Sequence, residues 1–124
     1  IGGEVGYYAK ANAQKFKQVA LFTNSQSIHS DCLAAGQPCN FVNYTTFNIS
    51  NYHKTDSSIL IINISKRGLE DLAPQINQLT FQQIIYISCN PKSLSKDLTE
   101  LSNYKTTNHH DVCNSRSVTF LTKN

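Results

Sequence analysis

Ile84-Ile85-Tyr86-Ile87-Ser88-Cys89-Asn90-Pro91-Lys92-Ser93-Leu94 passes from one kind of local structure to another within a few residues. Its opening run of β-branched and aromatic residues reads as a strand buried on both faces. Ser88-Cys89-Asn90 is short and polar, and Asn90 suits a helix N-cap. Pro91 fits the first helical position, where a missing N–H leaves nothing unbonded. Leu94, Leu98 and Leu101 then recur at helical spacing and give the helix one apolar face. Cys89 is therefore placed between the C-terminal end of a strand and the N-terminus of a helix, the edge where open α/β sheets bind ligands. The positive helix end, with Lys92 close by, would favour a thiolate. A cysteine at a strand end is also a common small buried hydrophobe, so the local features leave both readings open.

The rest of the chain repeats the pattern. Ile1 to Gly6 reads as a glycine-rich turn, and Val5, Tyr8, Ala9 and Phe16 mark a helix to about Lys15. Gln18–Phe22 is a short apolar strand. Thr23-Asn24-Ser25 can cap a helix through Ile28 and Leu33 that stops near Gly36-Gln37-Pro38. Asn40–Tyr44 is a second strand, residues 45–56 a loop, and Ser58–Asn63 a third strand. Ser65-Lys66-Arg67-Gly68 makes a turn. Leu69, Leu72, Ile76 and Leu79 mark a helix that Pro74 forces to start late or kink. After the strand and helix around Cys89, Tyr104–His109 and Ser117–Thr122 read as a closing antiparallel pair. Alternation of strand and helix predicts a single doubly wound α/β domain over residues 1–124, with right-handed crossovers.

At 124 residues the chain is long enough to bury a core, and its formal charge of +3 permits RNA as a partner without requiring it. Its longest apolar run, Ile59–Ile62, is strand-sized, so no membrane-crossing segment or signal peptide is expected. Cys32, Cys39, Cys89 and Cys113 match no zinc spacing and suggest reduced thiols in a cytoplasm. His109-His110 with Asp111 and Cys113 could be drawn as a metal site, yet adjacent strand residues point to opposite faces, so no metal is expected. The absence of Met and the Ile1-Gly2-Gly3 opening suggest the C-terminal part of something longer.

The string Tyr86-Ile87-Ser88-Cys89-Asn90-Pro91, followed by Leu94 and then Lys96-Asp97-Leu98, closely resembles the signature of the uracil-5-methyltransferases of tRNA and ribosomal RNA. The resemblance implies a Rossmann-like, S-adenosylmethionine-dependent catalytic domain with Cys89 as nucleophile, shaped by Asn90 and Pro91. Such a sheet has its central strand before Ile1. Without it the sheet could be completed by dimerisation through the gap, because unpaired edges invite pairing. The family's glycine-rich cofactor loop falls on Gly3-Glu4-Val5-Gly6, with Glu4 in place of a glycine. The second strand, which ordinarily ends in an acidic ribose acceptor, ends here in Thr23. Thr45 stands near where an Asp meets the adenine. The family's Asp/Asn-Pro-Pro-Arg-x-Gly becomes Asn63-Ile64-Ser65-Lys66-Arg67-Gly68, keeping Asn63 and Gly68 and losing both prolines. Gly3, Gly6, Thr23, Thr45 and Asn63 are thus the expected cofactor contacts, and several neutral replacements together predict a weakened or absent site.

In this family the cysteine thiolate adds to C6 of a uracil, C5 takes the methyl group, and a carboxylate in a Phe-Pro-x-Thr-x-His-x-Glu string removes the C5 proton. Counting back from the closing strand, Asn114 replaces that His and Arg116 that Glu. Asp111 comes too early to match, and an Arg cannot serve as a base at neutral pH. Loss of a positioned base slows such a step by roughly a hundredfold or more. The expectation is a methyltransferase domain with impaired turnover, the alternative a catalytically inactive binding or structural module on the same scaffold. Lys66 and Arg67 could meet RNA phosphates or be solvated surface. Further RNA affinity would come from residues upstream of Ile1 or from a partner.

Overall fold

The hydroxyls of Thr23 and Ser25 set the local geometry where the chain enters its first helix. In the computed structural model, which describes residues 15, 20, 22–36, 38–43, 46–51, 58–64 and 66–124, the chain divides into two compact units, Ile1–Phe47 and Asn48–Asn124. The glycine-rich turn and the helix expected at the start, with Gly3, Gly6 and also Thr45, lie outside the described residues.

In the first unit, strand β1 (Phe22–Thr23) pairs in parallel with β2 (Asn40–Phe41), Phe22 opposite Asn40. Helix α1 (Gln26–Ala34) connects them. Thr23 Oγ1 accepts the Ser25 N–H at 3.1 Å, and Ser25 Oγ accepts that of Ile28 at 3.4 Å, giving the hydroxyl cap expected from Thr23-Asn24-Ser25. Gly36, at φ +73°, turns the chain out of the helix, a conformation glycine adopts without strain. Phe22 packs on Phe47 with ring centroids 5.0 Å apart, and buried Cys32 packs against Ile28 and Cys39. Both strands are shorter in the described residues than the sequence suggests.

The second unit holds a four-stranded mixed sheet. A 3-10 turn (Ile49–Asn51) leads towards β3 (Ile59–Asn63), and α2 (Leu72–Asn77) crosses to the parallel strand β4 (Gln83–Ser88). Helix α3 (Pro91–Glu100) follows, then β5 (Tyr104–Cys113) and β6 (Arg116–Lys123). The order is β3-β4-β6-β5, so the last strand inserts between β4 and β5 and runs antiparallel to both. Pro74 is the third residue of α2, within the turn whose N–H groups have no helical partner, so the helix starts late rather than kinking. β4 is central: Ile84, Tyr86, Ile87 and Ser88 are all buried. On α3 the buried stripe is Leu94, Asp97 and Leu101, with Leu98 half-buried, so a carboxylate occupies the face expected to be apolar.

Asn114 and Ser115, at φ 46° and 66°, make the two-residue turn between β5 and β6. Two consecutive left-handed residues match the right-handed strand twist of a tight hairpin. Tyr104 is buried at the other end of β5; its hydroxyl accepts the Phe81 N–H at 3.2 Å and donates to the Leu79 carbonyl. That contact anchors the α2–β4 connection to the start of the hairpin. Burial pushes the Tyr104 phenol above its ordinary value, with the Phe81 N–H opposing.

Candidate active site

Cys89 is half-buried, one residue past the end of β4 and two before the first residue of α3. Its neighbours fix the loop. Ser88 Oγ bonds both ends of Asn90, accepting its N–H and donating to its carbonyl, each at 3.1 Å. Asn90, extended at φ −139°, caps α3 by accepting the Lys92 N–H at 3.1 Å through Oδ1. Its Nδ2 donates to the Lys66 carbonyl at 2.9 Å and to Ser93 Oγ at 3.0 Å, and Ser93 Oγ donates to the same carbonyl. The sequence anticipates the cap and Pro91 at the first helical position. It does not anticipate that the Asn90 amide also holds the turn after β3.

That turn carries Lys66 and Arg67, both with exposed side chains, and ends in Gly68 at φ +85°. Asp97, only 1% exposed, lies behind it. Asp97 Oδ2 accepts the Leu69 N–H at 2.9 Å and the hydroxyl of buried Tyr86. A Cβ at Gly68 would come within 2.6 Å of the same oxygen. Burial, then the Asp97 hydrogen bond and charge, push the Tyr86 phenol far above its ordinary value, so Tyr86 remains a donor. The clue in the sequence is Asp97 at the i+3 position from Leu94, where a helix with a uniformly apolar stripe has no carboxylate.

Asn63 ends β3, and its Nδ2 is buried with no hydrogen-bond partner among the described residues. Such a group ordinarily finds one, and leaving it unpaired costs about 1–3 kcal/mol. In the first unit Thr23 is buried, its Oγ1 accepting from Ser25.

The β5–β6 hairpin reaches the end of β4, where Ser88, the residue before Cys89, pairs with Ser117, the residue after Arg116. Asp111 faces Ser117 from β5. His109 bonds Thr119 Oγ1 through Nδ1 at 2.8 Å and Asp111 Oδ1 through Nε2 at 3.2 Å. His109 is thereby engaged with Thr119 and Asp111 rather than with His110 and Cys113. Among the described residues no three His, Cys, Asp or Glu gather to hold a metal ion, and no helix is long and apolar enough to cross a membrane.

This architecture is shared with solved structures of low sequence identity. A protein of the NADB-Rossmann superfamily from Streptococcus agalactiae matches 99% of this chain and 60% of its own, with a TM-score of 0.65 and 12% identity. The PH0226 protein from Pyrococcus horikoshii OT3 matches 98% and 78%, with a TM-score of 0.63 and 11% identity. The fold is accordingly Rossmann-like α/β. The family model described as tRNA (Uracil-5-)-methyltransferase matches residues 12–115, and this chain belongs to that family. Among curated relatives, the 23S rRNA (uracil(747)-C(5))-methyltransferase RlmC of Mannheimia succiniciproducens is 32% identical over 115 residues, and its counterpart in Haemophilus influenzae is 29% identical. Each alignment covers 85% of this chain but only 29% of the relative, so the chain spans under a third of their length.

Proposed function

We propose that this chain carries the nucleophile-bearing part of an enzyme that methylates C5 of a uridine in RNA, with turnover slowed by its own substitutions. The observation supporting it is the Cys89 loop, held between a strand end and a helix N-terminus by the bonds of Ser88 and Asn90. Cys89, as thiolate, adds to C6 of the base, which loads electron density onto C5. Asn90 and Pro91 fix the loop, and Lys66 and Arg67 offer cationic heads to the RNA backbone from the adjoining turn.

S-adenosylmethionine, when bound, supplies the methyl group as an electrophile. The described residues fit it in part. In the second unit the buried Asn63 amide, unpaired among the described residues, suits a ligand carrying acceptor atoms; in the first unit the family resemblance assigns the ribose to Thr23, a neutral hydroxyl where two ribose hydroxyls favour a charged acceptor. Gly3, Gly6 and Thr45 complete the proposed contacts. The reading therefore includes a weak hold on the cofactor.

Removal of the C5 proton needs a base beside the nucleophile. The family's base position falls on Arg116, and an arginine cannot serve as a base at neutral pH. The two-residue Asn114-Ser115 turn leaves no longer loop there to carry a carboxylate. These two features favour a second reading, in which the scaffold serves binding or structure and Cys89 is a relic.

RNA carrying 5-fluorouridine separates the readings, because fluorine at C5 blocks the base-dependent step and traps the thiol adduct. With S-adenosylmethionine present, an adduct mapped to Cys89 by mass spectrometry is the expected result, together with slow methylation of ordinary uridine RNA. No adduct, and no calorimetric signal with millimolar S-adenosylmethionine, would overturn the enzymatic reading.

A further inference from the structure

Three segments distant in sequence converge on one oxygen of Asp97: the Leu69 N–H from the basic turn, the Tyr86 hydroxyl from β4, and the helix α3 that carries the carboxylate. A buried carboxylate is costly unless hydrogen-bonded, and a leucine would continue the apolar stripe at this position without that cost. The turn meets α3 a second time one helical turn earlier, where Ser93 Oγ and the capping Asn90 amide hold the Lys66 carbonyl. Ser93 and Asp97 are four residues apart and so lie on the same face of the helix. Gly68 lets the turn approach: its Cα stands so close to Asp97 that a Cβ would collide with Oδ2 at 2.6 Å and meet Ser93 Cβ at 3.1 Å.

We propose that Asp97 is a positioning residue that locks the Lys66–Gly68 turn and the Cys89 loop into one rigid unit, so that the cationic turn and the thiol meet a substrate in a fixed relation. The purpose of this lock rests on the reading of Cys89 given above, but its existence does not, and the two can be tested separately. Cys89 follows β4 and precedes Asn90. Freeing the turn from Asp97 leaves it held only at the Lys66 carbonyl, and the slack passes through Asn90 to the thiol. Asparagine keeps an oxygen able to accept both bonds, so the lock depends on geometry rather than on charge.

The test is the rate of iodoacetamide alkylation at each cysteine of the whole chain, followed by peptide mass spectrometry across pH 7–9. Cys113, exposed at the end of β5, serves as the internal reference. Asp97→Ala is expected to change the Cys89 rate about tenfold through a shifted local opening equilibrium. Cys113 is expected to stay within about twofold, as befits a site outside the opening segment, and Asp97→Asn to restore the wild-type rate and pH profile. An unchanged Cys89 in Asp97→Ala, a parallel change at Cys113, or an asparagine variant that behaves like alanine would each overturn the proposal. Should Asp97→Ala fail to fold, Gly68→Ala, whose Cβ pushes the turn off Asp97, decides: altered Cys89 reactivity at constant Cys113 supports the lock, and no change refutes it. Adduct formation with fluorouridine RNA does not enter these rates, so failure of the enzymatic reading would leave them intact.

Discussion

Gly68→Ala tests the contact between the basic turn and α3 where it is tightest. At φ +85° any side chain sits in the left-handed region, which costs about 1–2 kcal/mol for an L-residue. The new methyl group would also lie 2.6 Å from Asp97 Oδ2 and 3.1 Å from Ser93 Cβ. Relief requires turn and helix to separate, and that movement stretches the 2.9 Å Leu69–Asp97 bond. Losing a hydrogen bond to a charged group costs about 1.5–3 kcal/mol. The total expected is about 2.5–5 kcal/mol, a large part of the roughly 5–15 kcal/mol that holds a domain of this size together. Urea unfolding followed by circular dichroism measures it. Gly36→Ala is the control: its φ is +73°, but nothing lies within 4 Å of a Cβ there, so only the backbone strain applies. Equal costs at the two glycines, within about 0.5 kcal/mol, would refute the reasoning.

Asn90→Ala removes the α3 cap and the bond to the Lys66 carbonyl together, and is expected to cost about 2–3 kcal/mol; thermal unfolding like that of the parent chain would contradict this. Ser115→Gly, at φ 66° in the hairpin turn, is expected to stabilise by about 1 kcal/mol, since glycine adopts that conformation freely; denaturant midpoints check it. The Tyr86 and Tyr104 phenols titrate above their ordinary value when folded. Their contribution is complete below the unfolded value of about 10 and is lost as pH rises from there through their folded values. Tyr86→Phe is expected to remove one phenol's share of that alkaline decline and leave the stability near pH 7–9 without slope from this source, which unfolding titrations between pH 8 and 12 would reveal.

The segment around Cys89 was legible because its signals agree: β-branched strand, Asn cap, Pro at the first helical position and leucines at helical spacing all imply one geometry. Ser25 and Gly36 marked the ends of α1 for the same reason. The order β3-β4-β6-β5 was not legible, since periodicity says that Ser117–Thr122 is a strand but not which strands flank it. Asp97 entered the sequence reading only as part of the Lys96-Asp97-Leu98 string. Its partners lie 28 and 11 positions away, one of them a backbone N–H, which no side-chain pattern announces. The unpaired amide of Asn63 likewise exists only in three dimensions. Arg116, by contrast, was picked out by counting back from the closing strand, and it is the first residue of β6.

β5 is the outermost strand of the second unit's described sheet, and from Lys105 to Cys113 every residue is exposed. Irregularities between Thr106 and Asn108, and between Asp111 and Cys113, break its ladder twice within ten residues. Bulges twist an edge away from any incoming chain, and Lys105, His109, His110 and Asp111 carry polar or charged groups that a stacked copy would have to strip of water. This margin is therefore closed to runaway strand addition, although Val112 is a large apolar residue exposed upon it. The two irregularities thus guard this edge where a flat, regular one would template fibrils.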